Sequence, residues 1–215
     1  MSELNNISCL FLDIGGVLLS KGWGHEFRQQ AAQHFFLDRT EMEERHKMLF
    51  VPLEEGKISL DEYLDTVIFY TPRDFTRREF IDFIHGLSTA DWNMIDFIKK
   101  IKSKYELKII AVSNESRELN SFRINKFKLT EIFDFFVSSC YVHARKPEAA
   151  VFQLAIDGAQ IPLENILYID DSKIFVDLVK DMGIAGFQHT DFHTTVNTLA
   201  DYGLKIKTET KKSHV

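Results

Sequence analysis

Proline is scarce in this chain, with 4 in 215 residues, and glycine numbers only 10. So few chain-breakers beside 45% hydrophobic residues exclude a linker or a low-complexity segment and leave material for a packed domain. Cysteine is nearly absent. Cys9 and Cys140 are too few for a disulfide scaffold, and buried free thiols are expected. Long apolar runs are also missing: none reaches the roughly 18–20 residues that a membrane-spanning helix takes. The apolar stretch 7–19 could pass for an export signal, but no basic segment precedes it and Asp13, Gly15 and Gly16 interrupt it. Positive charge is in deficit, the net charge being −6, which argues against a nucleic-acid-binding face. The expectation is a cytoplasmic protein with neither membrane nor nucleic acid as partner. An acidic balance leaves open an anionic small molecule, because a metal ion and a few placed cations suffice to hold a phosphate.

What the chain does have is 19 phenylalanines and a regular alternation of short apolar runs with amphipathic segments. Runs at 7–12, 108–112, 135–137, 166–169 and 185–188 read as strands buried on both faces. Helical patterns at 92–105, 117–127, 149–158 and 174–182 separate them. Strands spaced by helices imply crossover connections and hence a parallel sheet, an α/β fold of three layers. The exception is 24–87, where helices follow one another without a strand. Ser59 with Glu62 and Thr76 with Glu79 fit capping boxes there. About four helices inserted after the first strand predict a cap at 20–87 on a core made of 1–19 and 88–204. The lysine- and threonine-rich end, 205–215, is expected to fray. Phe133, Phe135 and Phe136 read as core.

Ligands of open α/β sheets bind beyond the carboxyl ends of the strands. Standing there in order are Asp13-Ile14-Gly15-Gly16-Val17, Ser113-Asn114, Lys146 in Arg145-Lys146-Pro147, and Asp170-Asp171. A carboxylate attacking a phosphate ester meets like-charge repulsion, so such a site needs positive charge. Mg²⁺ held by Asp13 and the Asp170–Asp171 pair, with Lys146, would supply it. Ser113 and the main-chain N–H groups near Gly15, Gly16 and Asn114 are suited to orient phosphate oxygens.

These residues carry a resemblance. Over roughly 7–188 the chain resembles the haloacid dehalogenase superfamily, in the form with an inserted helical cap. Asp13 and Val17 fall on the ends of the family's Asp-x-Asp-x-(Thr/Val) motif, Ser113 on its second motif, Lys146 on its third and Asp170-Asp171 on its fourth. The resemblance implies a Rossmann-like parallel sheet of order 5-4-1-2-3. It also implies an aspartyl-phosphate on Asp13, and Mg²⁺ bound by Asp13, the Gly15 carbonyl and Asp171, with Asp170 on a metal-bound water or on Lys146. The expected activity is hydrolysis of a small phosphorylated metabolite, sugar phosphates first.

One position departs. The family's phosphatases carry a second aspartate two residues after the nucleophile, as general acid and base, and here it is Gly15. His25 or Glu26 are candidate substitutes. A slow enzyme, a non-catalytic binder of a phosphometabolite or protein, and a dehalogenase all draw support from that departure. The adjacent acids Asp170 and Asp171 weigh against the metal-free dehalogenase. Trp23, His25 and Phe27 lie where the cap begins, open to substrate contact or to packing. His143 and Arg145 are open to substrate contact or to solvent. The sequence carries no signal of oligomeric state.

Overall fold

Cys9–Leu12 forms β1, and all four residues are buried, as a central strand with helices on both faces requires. The computed structural model describes residues 6–206. Four more strands follow, β2 (Lys108–Ser113), β3 (Phe135–Ser138), β4 (Ile166–Asp170) and β5 (Ala185–Gln188). They make one sheet, β3-β2-β1-β4-β5, with every pair parallel. Read from its other edge, that is the order the resemblance implied.

The period of two along each strand divides the core. Leu10, Leu12, Ile109, Ala111, Leu167 and Ile169 face one side and pack with α5 (Trp92–Tyr105) and α10 (Phe192–Asp201). Phe11, Ile110, Val112 and Tyr168 face the other and pack with α8 (Ala149–Ala159) and α9 (Lys173–Asp181). Register places the carboxyl ends together: Leu12 pairs with both Ala111 and Ile169, and the Asp13 N–H donates to the Ile169 carbonyl at 3.0 Å.

Between β1 and α5 lie α1 (His25–His34), α2 (Arg39–Glu54), α3 (Leu60–Val67) and α4 (Arg77–Gly86). Both expected capping boxes are formed, with Ser59 and Glu62 at α3 and Thr76 and Glu79 at α4. These helices gather an apolar cluster, joined by Leu119 from beyond β2, around Phe80, whose ring meets Trp23, Phe35, Phe69 and Phe75. The two chain segments joining them to the sheet pair with each other. Leu19 bridges Ala90 antiparallel, and the Ser20 N–H donates to the Thr89 carbonyl at 2.9 Å.

Three sequence readings need correction. β3 and β5 are edge strands and are not buried on both faces. Phe135, read as core, is 45% exposed, because it is on the edge strand; its ring lies against Gly158. Of the expected frayed end, Lys205 is instead held: its N–H donates to Tyr105 Oη at 2.9 Å and its carbonyl accepts from Lys104 Nζ at 2.6 Å. Residues 207–215 lie outside the described residues. No helix among the described residues is long and apolar enough to cross a membrane.

Candidate active site

Parallel register delivers three carboxylates to one point. Asp13 follows β1, Asp170 ends β4 and Asp171 follows it, and an oxygen from each lies within 4.8 Å of the other two. Lys146 reaches in from the segment between α7 (Ser139–Val142) and α8 and is 1% exposed. Its Nζ donates to Asp170 Oδ2 at 2.7 Å and lies 3.2 Å from Asp13 Oδ2. Burial opposes its charge, but Asp13 and Asp170 outweigh that and raise its pKa. Asp13 is pushed up to about 7, chiefly by burial, with Lys146 acting against it and Asp170 and Asp171 adding to it. Three acids thus face one buried ammonium and one exposed one, Lys21, whose Nζ is 2.8 Å from Asp171 Oδ2. That excess of negative charge could be offset by a hard divalent cation, whose preferred ligands are such oxygens.

The two acids of the pair are differently placed. Asp170 Oδ1 accepts from the Ser172 N–H at 2.7 Å, and its Oδ2 accepts from Lys146 and from Tyr168 Oη. Asp171 faces Lys21 and the Gly16 backbone, which leaves it the less engaged carboxylate of the two.

Ser113 is the last residue of β2 and is buried. It does not cap the next helix: α6 (Arg117–Lys126) has Ser116 at its N-cap. Asn114 was expected to orient phosphate through the main-chain N–H there; its side-chain amide clasps the Lys146 main chain, donating to the carbonyl and accepting from the N–H, both at 2.9 Å. It positions Lys146. Gly16 was expected among the phosphate donors, but its N–H is already given to the Leu19 carbonyl at 2.7 Å. Its glycine is needed for another reason. Its φ is +80°, and a Cβ would lie 2.5 Å from Asp171 Oδ2.

Beside Ser113 and Asn114 opens a cavity of about 290 Å³, walled by Trp23, His25, Arg28, His46 and Phe50 from the helical block and by Asn114 and Glu115 from the sheet side. Its guanidinium, its indole N–H and one imidazole nitrogen are engaged. Arg28 donates to both Glu43 oxygens at 3.0 Å and to the Trp23 carbonyl at 2.7 Å. His46 Nδ1 and Trp23 Nε1 each lie 2.8 Å from Tyr63 Oη, and burial lowers the His46 pKa to about 4. His25 lines the cavity, whereas Glu26 is exposed and Phe27 is buried as packing. His143 is exposed and Arg145 half-buried, and each has a partner in the helical block. They fasten the end of α2, His143 Nδ1 lying 2.7 Å from the Glu55 carbonyl and Arg145 Nε donating to Glu54 Oε2 at 2.8 Å.

This geometry has relatives. The family model described as haloacid dehalogenase-like hydrolase matches residues 7–174. The chain belongs to the haloacid dehalogenase-like hydrolases. Among curated proteins it is 24% identical to a D-ribitol-5-phosphate phosphatase of Bacteroides thetaiotaomicron, over 85% of this chain and 91% of that one. It is 23% identical to the bifunctional epoxide hydrolase 2 of Sus scrofa, over 60% of this chain and only 24% of that protein. Among solved structures, a Bacteroides thetaiotaomicron enzyme of this family in complex with magnesium and inorganic phosphate superposes with a TM-score of 0.73 at 20% identity, covering 88% and 98% of the two chains. The L-2-haloacid dehalogenase of Xanthobacter autotrophicus gives 0.59 at 13% identity, covering 90% and 82%. Such distant likenesses speak to the shared fold.

The sequence reading missed Tyr168, Lys21 and the buried pair Glu115–Arg123. Tyr168 reads as one more core aromatic, although its place two residues before Asp170 on a strand puts both side chains on one face. Lys21 gave no signal because its partner Asp171 is distant in the chain, and Glu115–Arg123 because a spacing of eight across a loop and a helix forms no pattern.

Proposed function

We propose that this hydrolase is a Mg²⁺-dependent phosphohydrolase of small phosphorylated metabolites, polyol and sugar phosphates first, with Asp13 as nucleophile. The observation that carries it is the convergence of Asp13, Asp170 and Asp171 around Lys146. The phosphatase relative and the magnesium and phosphate complex of a structural relative support it.

Asp13, Asp171 and the Gly15 carbonyl would hold the ion, with Asp170 kept in place by Lys146, Tyr168 and the Ser172 N–H. Mg²⁺ bound there supplies the positive charge that keeps Asp13 ionised and offsets the charge of the phosphate. One Asp13 oxygen accepts from the Ile14 N–H at 2.7 Å, which fixes the carboxylate while the other attacks phosphorus. The leaving oxygen departs, and water then cleaves the aspartyl-phosphate. Ser113 binds a phosphate oxygen, Lys146 offsets charge in the transferring group, and Asn114 holds Lys146 in register. The helices of 20–87 act as a cap that walls the site from water and selects the substrate.

The cavity argues for the class of leaving group. Arg28, the one guanidinium among the cavity residues, is occupied by Glu43. A second phosphate or a carboxylate would find no free cation, whereas hydroxyls find Glu54, His25 and His46 between Trp23 and Phe50. The same count weighs against a 2-haloacid. A non-catalytic binder rests on Gly15 alone. The test is phosphate release from a panel of monophosphate, bisphosphate and nucleotide esters, with Mg²⁺ and with chelator, and halide release from 2-haloacids. Metal-dependent hydrolysis confined to neutral polyol or sugar monophosphates supports the reading. Phosphate binding with no release from any ester favours the binder.

A further inference from the structure

Gly15 stands where the family's phosphatases have their second aspartate, and the space beside it borders a buried ion pair. A Cβ on Gly15 would lie 3.7 Å from Gly22 N and 3.9 Å from Arg123 Nη1. Arg123 Nη1 donates to Glu115 Oε2, and Nη2 donates to the Ser20 carbonyl. The Glu115 carboxylate also presses on the linker, since a Cβ on Gly22 would meet Oε2 at 2.6 Å and Oε1 at 2.8 Å. A side chain at 22 would force that carboxylate to move. Glu115 therefore stands one hydrogen bond from the guanidinium nitrogen that borders Gly15, two residues past Ser113, in the wall of the cavity that would take the leaving group. Its backbone is fixed, the N–H donating to Ser139 Oγ at 3.1 Å.

We infer that Glu115 performs the acid–base work that an aspartate at position 15 performs in the family's phosphatases, an inference that rests on the phosphohydrolase reading. In the first step the Asp13–phosphorus bond forms as the bond from phosphorus to the leaving oxygen breaks. The electron pair goes to that oxygen, which takes the proton of the Glu115 carboxyl. In the second step water attacks phosphorus and gives a proton back to the Glu115 carboxylate. The bond to Asp13 breaks, phosphate leaves, and Glu115 is again protonated. The groups facing Glu115 suit both states. Burial raises its pKa, Arg123 of α6 lowers it, and Glu54 of α2 raises it again. The Cys140 thiol of α7 is pushed up to about 12 and stays neutral beside it. His46 in the same cavity, at about 4, adds no charge near neutrality.

A purely structural alternative exists: the pair ties linker to core and nothing more. Leaving-group dependence separates the two. Glu115→Gln is compared with wild type on an alkyl phosphate such as ribitol 5-phosphate and on p-nitrophenyl phosphate, whose leaving group needs little protonation, using kcat/KM so that only the first chemical step is read. The expected result is a loss of about 10²–10⁴-fold on the alkyl ester and under tenfold on the aryl ester, with Gly15→Asp in the Glu115→Gln background restoring alkyl turnover. Equal losses on both esters, or none, overturn the inference and leave the phosphohydrolase reading standing. Wild type that hydrolyses neither ester overturns both. If Glu115→Gln does not fold, Glu115→Asp keeps the charge beside Arg123 but shortens the reach, and the same split between esters decides.

Discussion

Gly16→Ala puts a methyl group where the structure has a carboxylate. The position has φ +80°, and the added Cβ would lie 2.5 Å from Oδ2, 2.6 Å from Cγ and 3.1 Å from Cβ of Asp171. Gly183→Ala is the control: its φ is +88°, but the nearest atom to a Cβ is Leu163 Cδ1 at 3.9 Å. Both variants lose roughly 1–2 kcal/mol from placing an L-residue in the left-handed region. At about 2–4 °C per kcal/mol for a chain of this size, that lowers Tm by roughly 2–8 °C. Only Gly16→Ala must also move Asp171, since three atoms of one side chain cannot all clear the methyl without a change of rotamer. Displacing a metal ligand or its support weakens binding by about 10–100-fold. At a Mg²⁺ concentration that saturates wild type, this removes about 1.4–2.7 kcal/mol of metal-induced stabilisation. The assay is thermal unfolding across a Mg²⁺ titration. Gly183→Ala should shift the whole curve down and keep the wild-type midpoint, while Gly16→Ala should move the midpoint at least tenfold. A wild-type midpoint in Gly16→Ala would refute the placement of the metal against Asp171.

Three further outcomes follow from the geometry. Lys146→Ala and Asp171→Ala should both abolish turnover, but only Asp171→Ala should abolish the Mg²⁺ dependence of ligand binding by calorimetry; full activity in Asp171→Ala would contradict the metal assignment. Phe80→Ala, at 0% exposure among four aromatic rings, should destabilise by about 3–5 kcal/mol, read from denaturant unfolding. His46, whose pKa is lowered by burial from 6.5 to about 4, gives a pH signature. Between those values the unfolded chain binds more protons than the folded one, so this contribution is whole above 6.5 and is lost as pH falls toward 4. The loss is at most about 3 kcal/mol at 1.36 kcal/mol per unit. His46→Gln should flatten that part of the stability–pH curve, and an unchanged slope would count against the assignment.

How much of this was legible in the chain follows from the range of the interactions. Strand positions, sheet order and both capping boxes came through because they rest on local periodicity, on contiguous motifs and on the family they resemble. Asp13, Lys146, Asp170 and Asp171 stood out because strand ends are where such groups converge. Gly16 and Asn114 were picked out as phosphate contacts, without the partners the structure gives them. A glycine three residues after an acid looks like part of a phosphate loop, yet here its N–H is spent on Leu19 and its missing side chain makes room for Asp171. Asn114 looks like a ligand contact until its partner 32 residues away is known. Phe135 was misjudged because composition does not say which strand lies at the edge. Glu115 and Arg123 were invisible, for a buried pair spaced eight residues apart across a loop and a helix leaves no pattern.

The most direct test of Asp13 as nucleophile is an acid quench during turnover of a radiolabelled alkyl phosphate with Mg²⁺, followed by peptide mapping. Label on the peptide containing Asp13, released by hydroxylamine and missing in an inactive Asp13→Asn, is the predicted result. Turnover by Asp13→Asn at the wild-type rate, with no label on that peptide at any quench time, would contradict it.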